Sequence, residues 1–399
     1  MTLGGSLRTL IDVLQVRLLL RQIRRQLVGP RDDFSRLRPR RVKFLAVFTV
    51  LFPASIAFTW FCLLLDEVFF PGYRRVQVRR PLFVVGNFRS GTTFLQRLLA
   101  QDEQNITGLT TREIYLTPSI SQRKLWGFLM MVDGVVGRPF GRMLAAVEDR
   151  VLRRIPFHRV RLEEAEEDEG LFFYTWDSLF VWFFFPLSPA DFVQPRFDEA
   201  VPAVRRRRLM RFYRGMLQRH LYVHGPQLRI VSKNPSFTPK IRSLLEVFPD
   251  ARFVNLIRDP VELLPSMTNW FAYCWHYFGA PRESYPNRRR ILDIANHWYR
   301  YPQRVFPALP AGQARDLGFD ELIGDTSRVV RELYAMLGLE VSAAFAAILD
   351  DADRLPTKAT KSPTLEEVGL SAEDVRREFS DIVELYALDR VGARAGEQA

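Results

Sequence analysis

The segment from Pro81 to Leu99 constrains the fold more than any other part of the chain. The apolar stretch PLFVV is followed by a short loop that begins at Gly86 and ends at Gly91, and then by an amphipathic stretch. This is the order of a buried strand, a tight loop and a helix, in which backbone N–H groups converge and can hold a phosphate. Further apolar strands alternate with helical stretches, so the sequence predicts an α/β fold whose mainly parallel sheet carries helices on both faces.

The loop differs at one position from the phosphate loops that bind ATP or GTP. Its spacing matches G-x-x-x-x-G-K-[ST], but Thr92 stands where the lysine is expected. Without a lysine that reaches the β- and γ-phosphates, hydrolysis of a nucleoside triphosphate is disfavoured. The loop therefore indicates a phosphate-like ligand that needs no magnesium.

The five residues after Phe88 resemble the R-S-G-T-T or K-S-G-T-T motif of sulfotransferases that use 3′-phosphoadenosine 5′-phosphosulfate (PAPS). The resemblance implies a P-loop-like sheet and a loop that binds the 5′-phosphosulfate of this co-substrate. The residues that it assigns to donor binding are Arg89, Ser90, Gly91, Thr92 and Thr93.

A second segment resembles the element of the same family that grips the 3′-phosphate of the donor. Arg258 follows an apolar stretch and Ser266 comes eight residues later. An arginine fork and a hydroxyl suit a dianion, although Arg258 could instead pair with a carboxylate such as Asp259. Lys233, in Lys-Asn-Pro, resembles the lysine that faces the sulfuryl group in the bacterial and tyrosylprotein branches. The resemblance runs from about Pro81 to Leu388.

The general base has several candidates. Glu113 lies 24 residues after Arg89, in the region that supplies the catalytic glutamate in the tyrosylprotein and glycan branches, and we assign the base to it. The acidic cluster 163–169 resembles the P-E-E-D-E segment of bacterial members, so Glu166 or Glu167 is an alternative base or acceptor ligand. His158 is a third alternative, by analogy with the cytosolic branch. In this assignment Arg89 and Lys233 stabilise the charge of the transition state.

An aromatic run at residues 171–186 directly follows the acidic cluster. Such a run is common in protein cores, but beside the acidic cluster it could also line a channel for an apolar acceptor. The acceptor is therefore expected to be an alcohol, lipid or glycan, whose identity the sequence does not define.

We divide the chain into an N-terminal segment, residues 1–72, and a catalytic domain, residues 73–399. Residues 44–65 form 22 consecutive uncharged residues, long enough to cross a hydrocarbon core of about 30 Å. Pro53 interrupts this run, and arginines flank it on both sides, so the positive-inside rule gives no orientation. These features favour an apolar helical hairpin that holds the catalytic domain at the cytoplasmic face of a membrane. A spanning helix and a helical pair buried against the domain are the alternatives.

Charge and cysteine content restrict the partners and cofactors that we expect for this chain. The net charge of +12 indicates an anionic partner, but the chain contains no recognisable nucleic-acid module, so no nucleic acid is expected. Two cysteines offer neither a disulfide framework nor a zinc spacing, so no metal is expected. The rival hypotheses are a kinase-like phosphate-loop enzyme and a non-catalytic, basic, membrane-associated binding protein. The sequence predicts no oligomeric state.

Overall fold

A computed structural model describes residues 16–28, 37–152, 160–185, 192–278, 288–352 and 363–388. Within these ranges the strands form one sheet of five parallel strands in the order β2-β3-β1-β4-β5. Their bounds are Leu82–Gly86 (β1), Ile106–Thr107 (β2), Arg229–Lys233 (β3), Arg252–Ile257 (β4) and Ala314–Gly318 (β5).

Strand β1 lies at the centre of the sheet, between β3 and β4, with Leu82 opposite both Val231 and Arg252. All five residues of β1 are buried. Leu82 and Val84 belong to one apolar core and Phe83 and Val85 to another, because successive side chains of a strand point to opposite faces. Both faces of the sheet are therefore covered, which confirms the predicted α/β class.

Helices connect the strands and cover the sheet. The α-helices that precede β3 are Val16–Val28 (α1), Pro39–Phe69 (α2), Thr92–Leu99 (α3), Thr111–Tyr115 (α4), Ile120–Val135 (α5), Pro139–Val147 (α6), Val181–Phe184 (α7), Phe197–Ala200 (α8) and Ala203–His224 (α9). Those that follow it are Ile241–Val247 (α10), Pro260–Tyr277 (α11), Arg288–Val305 (α12), Phe319–Gly324 (α13), Thr326–Leu337 (α14), Ala343–Ala352 (α15), Ala372–Glu378 (α16) and Ser380–Leu385 (α17).

Shorter helical turns complete the architecture. The 3₁₀ turns are Pro71–Arg75, Asp168–Thr175, Gln194–Arg196, Pro235–Lys240 and Phe306–Ala308, and a π turn covers Glu148–Leu152. The turn at residues 168–175 carries part of the predicted aromatic run into the core, where Leu171 and Phe172 are buried. Of the two roles considered for the aromatic run, Leu171 and Phe172 therefore have the first, that of packing in the protein core.

The N-terminal hairpin that we expected at Pro53 is replaced by one continuous helix, α2. A proline inside a helix costs about 3 kcal/mol, and packing on both sides of Pro53 offsets that cost. Before it, Phe52 packs on Trp176, with ring centroids 5.0 Å apart. After it, the indole of Trp60 donates to the carbonyl oxygen of Tyr174 at 2.9 Å.

Helix α2 is packed on the catalytic domain along its length. Its buried residues recur at helical spacing from Arg41 through Leu45 and Phe48 to Leu63 and Asp66. Leu63 is part of the main core beneath the sheet. The division at residue 72 stays a prediction, but the two proposed segments share a core.

Candidate active site

Two glycines shape the loop between β1 and α3. Gly86 has φ +129, and a Cβ there would lie 2.5 Å from the carbonyl oxygen of Leu256 on the neighbouring strand. Gly91 has φ +96, and a Cβ there would lie 2.6 Å from the ring of Phe319. Only glycine fits such close approaches with left-handed backbone angles. The predicted strand, loop and helix are therefore present, and Gly91 caps the helix that begins at Thr92.

Hydroxyl groups hold this loop in place. Ser90 Oγ donates to the carbonyl oxygen of Asn87 at 2.8 Å. At the start of the loop, Thr238 Oγ1 accepts from the N–H of Gly86 at 2.9 Å and donates to its carbonyl oxygen at 2.8 Å. Thr92 and Thr93 follow on the first turn of α3, and both line the cavity described below.

The two predicted donor-binding motifs meet in space. Arg89 Nε donates to Ser266 Oγ at 3.0 Å, and Arg258 Nη1 donates to the carbonyl oxygen of Arg89 at 3.2 Å. Arg258 also pairs with Glu262 Oε2 at 3.0 Å and lies over the ring of Phe319. Burial, and then the positive charge of Arg258, lower the pKa of Arg89. Two guanidinium groups held this close favour binding of an anion beside them.

A cavity of about 460 Å³ opens in front of the loop. Its polar wall contains Arg89, Arg258, Glu166 and Glu167. Its apolar wall is mainly aromatic and contains Phe88, Tyr115, Val160, Phe180, Phe183, Trp270 and Phe319. Of the aromatic run, Phe180 and Phe183 therefore line this cavity, and the acceptor channel stays a prediction.

Lys233 and Glu167 form an ion pair at the end of β3. Lys233 is fully buried, and its Nζ lies 2.6 Å from Glu167 Oε1. The Glu167 side chain keeps 13% of its surface exposed and lines the cavity. Lys233 is the last residue of β3, and the parallel pairing of β3 with β1 places it beside the end of β1, where the predicted donor loop begins. A carboxylate and an ammonium group thus lie at the same edge as the predicted donor loop.

Asp168 holds this pair in position. Its carboxylate accepts hydrogen bonds from Tyr213 Oη at 2.6 Å, from Ser232 Oγ at 2.8 Å and from Asn234 Nδ2. Burial raises the pKa of Asp168 to about 6, and these hydrogen bonds oppose the rise. Because Ser232 and Asn234 flank Lys233, the network fixes the chain around Glu167 against the end of β3.

Glu113 is not among the residues that line the cavity, which argues against its assignment as the base. Thr111 and Tyr115 line the cavity, whereas Glu113 lies on the opposite side of the short helix α4, where its side chain is 1% exposed. There it completes a capping box with Thr110. Its Oε1 lies 2.6 Å from His224 Nε2, and neither residue is among those that line the cavity.

The environment of Glu113 also makes it a weak base. Burial alone would raise the pKa of Glu113, but His220, His224 and Arg123 outweigh burial and hold the pKa below the usual range. Burial lowers the pKa of His220 to about 4, so Arg123 supplies the positive charge at neutral pH. Arg123 Nη1 lies 3.4 Å from Glu113 Oε1.

The same cluster contains potential metal ligands. Among the described residues, Glu113, His220 and His224 place ligand atoms within 4.8 Å of one another. The guanidinium of Arg123 lies 3.4 Å from both the Glu113 carboxylate and His220 Nδ1. A fixed positive charge at this position disfavours a cation, so these residues are better suited to an ion-paired network.

Of the remaining candidates for the base, Glu166 lines the cavity, and its Oε1 accepts from the N–H of Glu167 at 2.9 Å. His158 lies outside the described residues. Sequence reasoning missed the roles of Phe88, Trp270 and Phe319 in the cavity wall and that of Asp168 behind it. Phe88 lies inside the recognised loop and Asp168 inside the acidic cluster 163–169, so both could have been found there, whereas no spacing points to the cavity roles of Trp270 and Phe319.

Known proteins resemble this chain in sequence and fold. The sulfotransferase family is matched over residues 81–343. Omega-hydroxy-beta-dihydromenaquinone-9 sulfotransferase Stf3 from Mycobacterium bovis and from Mycobacterium tuberculosis is 26% identical over 273 residues, which is 65% of this chain and 63% of that protein. The chain therefore aligns with less than two thirds of the length of these relatives.

The fold is shared with two mycobacterial crystal structures. Sulfotransferase STF9 from Mycobacterium avium has a TM-score of 0.68 and 18% identity over 94% of this chain and 96% of that chain. Sulfotransferase STF1 from Mycobacterium tuberculosis has a TM-score of 0.63 and 22% identity over 93% of this chain and 99% of that chain. Because the family match covers well over half of the chain and includes both predicted donor motifs, this protein belongs to the sulfotransferase family.

Proposed function

We propose that this protein moves the sulfuryl group from PAPS to a hydroxyl of a lipid-like acceptor. One observation carries the proposal: the cavity joins a cluster of arginines, the Lys233–Glu167 ion pair and an aromatic wall. These are the three components that sulfuryl transfer needs, namely an anion site, a base with a cation beside it, and an acceptor pocket.

The donor would be held by the two motifs that meet at Arg89. Loop N–H groups and the hydroxyls of Thr92 and Thr93 suit the 5′-phosphosulfate. Arg258 and Ser266 suit the 3′-phosphate, because a guanidinium and a hydroxyl together give charge-assisted hydrogen bonds to a dianion. Thr92 stands where a magnesium-dependent phosphate loop has lysine, so we propose donor binding without a divalent cation.

We assign the base to Glu167 in place of Glu113. In the proposed step, the acceptor oxygen attacks sulfur and gives its proton to the Glu167 carboxylate. The bond between sulfur and the bridging phosphate oxygen breaks, and its electrons stay on the leaving adenosine 3′,5′-bisphosphate. Lys233, 2.6 Å from Glu167, positions the carboxylate and places a positive charge near the developing negative charge.

The aromatic wall supports a lipid acceptor rather than a glycan. Phe180, Phe183 and Trp270 offer a large apolar surface next to Glu167, which suits a hydroxyl on an apolar chain. The curated relatives are named for a dihydromenaquinone, which is a lipid. We also propose that α2 keeps the enzyme at the cytoplasmic face of a membrane, because its solvent-facing side is apolar.

Calorimetric titration with adenosine 3′,5′-bisphosphate in the presence of EDTA tests the donor site, and titration with ATP and magnesium tests the kinase alternative. We expect the bisphosphate alone to bind. Binding of only magnesium-ATP would favour a kinase, and binding of neither would favour the non-catalytic alternative. Sulfate-labelled PAPS, incubated with a lipid extract and with a glycan fraction, would then identify the acceptor class.

A further inference from the structure

Helices α5 and α6 form a helical hairpin, here called the apolar hairpin (Ile120–Val135 and Pro139–Val147). Arg138 adopts a left-handed φ of +62 in the turn. Asp133 fixes the turn, since its carboxylate accepts from the N–H groups of Phe140 at 2.8 Å and Gly141 at 2.9 Å. Trp126 packs on Phe140 across the hairpin. Hydrogen bonds at the turn and a ring contact between the two helices therefore hold the hairpin together.

Most of the large apolar side chains of this hairpin are exposed. Val135 keeps 85% of its surface in solvent, and α6 contains no buried residue. The exposed set includes Leu125, Phe128, Met131, Val135, Met143 and Val147. A contiguous apolar surface of this kind marks a site that contacts a membrane or another protein.

Charge favours a membrane of anionic lipids as the partner. Between Leu125 and Val147 the charged residues are Asp133, Arg138 and Arg142. Asp133 is buried and bound to backbone N–H groups, while both arginines are exposed. Lys124 lies at the base of the hairpin, and Glu148, Asp149 and Arg150 follow its last residue. An apolar surface with exposed arginines at its turn is typical of elements that lie in a membrane interface.

The hairpin begins against the C-terminal part of α2. Asp66 of α2 accepts from the N–H groups of Ile120 at 2.9 Å and Ser121 at 2.8 Å, so α5 begins against α2. Near this junction the outward side of α2 carries the exposed Phe61 and Phe69. Both elements therefore carry exposed apolar side chains on either side of this junction.

Polar anchors near both ends of α2 keep it on the catalytic domain. Arg41 donates to the carbonyl oxygens of Phe184 at 2.6 Å and Phe278 at 2.9 Å. Asp66 pairs with Arg219 of α9 at 3.0 Å. By length and composition α2 could cross a bilayer, but crossing would break these buried polar contacts. The folded domain therefore favours α2 in the plane of the membrane.

The apolar hairpin contacts the helix that supplies part of the cavity wall. Tyr115 of α4 lines the cavity, and Arg112 of the same helix lies over the ring of Trp126 in the hairpin, 5.7 Å from its centroid. The N–H of Arg112 also donates to the carbonyl oxygen of Leu162 at 2.8 Å. The hairpin is therefore anchored beside the wall of the cavity.

We propose that the apolar hairpin and the outer side of α2 insert together into one leaflet of an anionic bilayer, with the cavity mouth at its surface. Docking on the membrane does not depend on the proposed function, whereas delivery of a lipid acceptor from the membrane to the cavity rests on it. A lipid alcohol could then pass from the leaflet to Glu167 without crossing bulk water.

Sedimentation with vesicles tests the docking on the full chain. The hairpin variant is Phe128→Ser/Met131→Ser/Val135→Ser, and a control removes three exposed apolar side chains elsewhere, Val204→Ser/Val223→Ser/Leu385→Ser. With vesicles of phosphatidylcholine and phosphatidylglycerol, we expect the hairpin variant to bind at least roughly tenfold more weakly and the control to bind as the unmodified protein does. Unchanged binding by the hairpin variant would overturn the proposal.

An environment-sensitive fluorophore then locates the hairpin directly. It is attached through Met131→Cys, or through Val204→Cys as control, in a chain whose Cys62 and Cys274 are replaced by alanine. Vesicles should shift only the Met131 signal towards that of an apolar environment. The proposal is overturned if the label at position 131 still reports an aqueous environment when the protein is bound to vesicles. It is also overturned if the label reports an apolar environment without vesicles because the protein forms a dimer. Titration with adenosine 3′,5′-bisphosphate on the same samples tests donor binding, so failure of docking and failure of the proposed function are separated.

Discussion

Glu113 and Glu167 are both carboxylates beside a buried cation, yet only Glu167 lines the cavity. Glu113 is enclosed by Arg123, His220 and His224 at the N-terminus of a short helix. Glu167 forms an ion pair with Lys233, and its side chain still lines the cavity. Access to the cavity, which distance along the chain from the phosphate loop does not reveal, is what distinguishes the two carboxylates.

The largest expected effect is that of Glu167→Gln on catalysis. If Glu167 removes the acceptor proton, turnover should fall by ~10²–10⁴ while affinity for adenosine 3′,5′-bisphosphate is kept. Steady-state kinetics with labelled PAPS, together with calorimetry, measure the two quantities. Glu166→Gln is the matched control and should retain most of the turnover; the reverse result would move the base to Glu166.

Glu113→Gln should act on stability instead. Removing this charge leaves Arg123 buried without its carboxylate partner, and breaking such a pair costs about 3 kcal/mol. Urea unfolding should show the loss, and turnover at low temperature should stay near that of the unmodified enzyme. Glu163→Gln, which breaks an exposed pair with Arg112, should cost less than about 1 kcal/mol. A collapse of turnover in a folded Glu113→Gln enzyme would restore Glu113 as the base.

Arg258→Ala extends the comparison to the donor site. Losing one charge-assisted contact to the 3′-phosphate should weaken adenosine 3′,5′-bisphosphate by about ten- to a hundredfold, with a much smaller effect on adenosine 5′-monophosphate. The control is Arg205→Ala, which removes an equally exposed arginine that pairs with Asp177. Equal losses for both nucleotides would argue against a 3′-phosphate clamp.

The effect that is smallest for a single step, here one pH unit, is the pH dependence of stability at the Glu113 cluster. Burial lowers the pKa of His220 to about 4 in the folded protein. Between pH 6.5 and pH 4 the histidine is therefore protonated in the unfolded chain but neutral in the folded protein. Stability should therefore fall as the pH drops from 6.5 towards 4, by up to about 1.4 kcal/mol per pH unit. Asp168, whose pKa is raised to about 6, acts in the opposite sense.

Comparing the unmodified protein with His220→Asn isolates the histidine, because Asp168 is present in both. Urea midpoints between pH 4 and pH 7 should fall less steeply for the variant. Parallel pH profiles would show that His220 is already protonated in the folded protein, and Glu113 would then be held by a charged histidine as well as by Arg123.

The sequence alone was sufficient for the local parts of this protein. The strand, loop and helix around Gly86 and Gly91 depend on backbone geometry that neighbouring residues define, and the fold contains them as predicted. Arg258 and Ser266 were assigned by a spacing of eight residues, and their side chains do meet the loop at Arg89. Such features are readable because each is contained within one or two adjacent elements.

Only the tertiary structure could separate Glu113 from Glu167. A capping box with Thr110 orients Glu113 towards histidines more than a hundred residues further along the chain. The pairing of β3 with β1 places Lys233 and Glu167 beside the loop. Packing on the domain likewise keeps α2 continuous through Pro53. These outcomes depend on free energies of contact between distant segments, which outweigh the local preferences that a sequence pattern records.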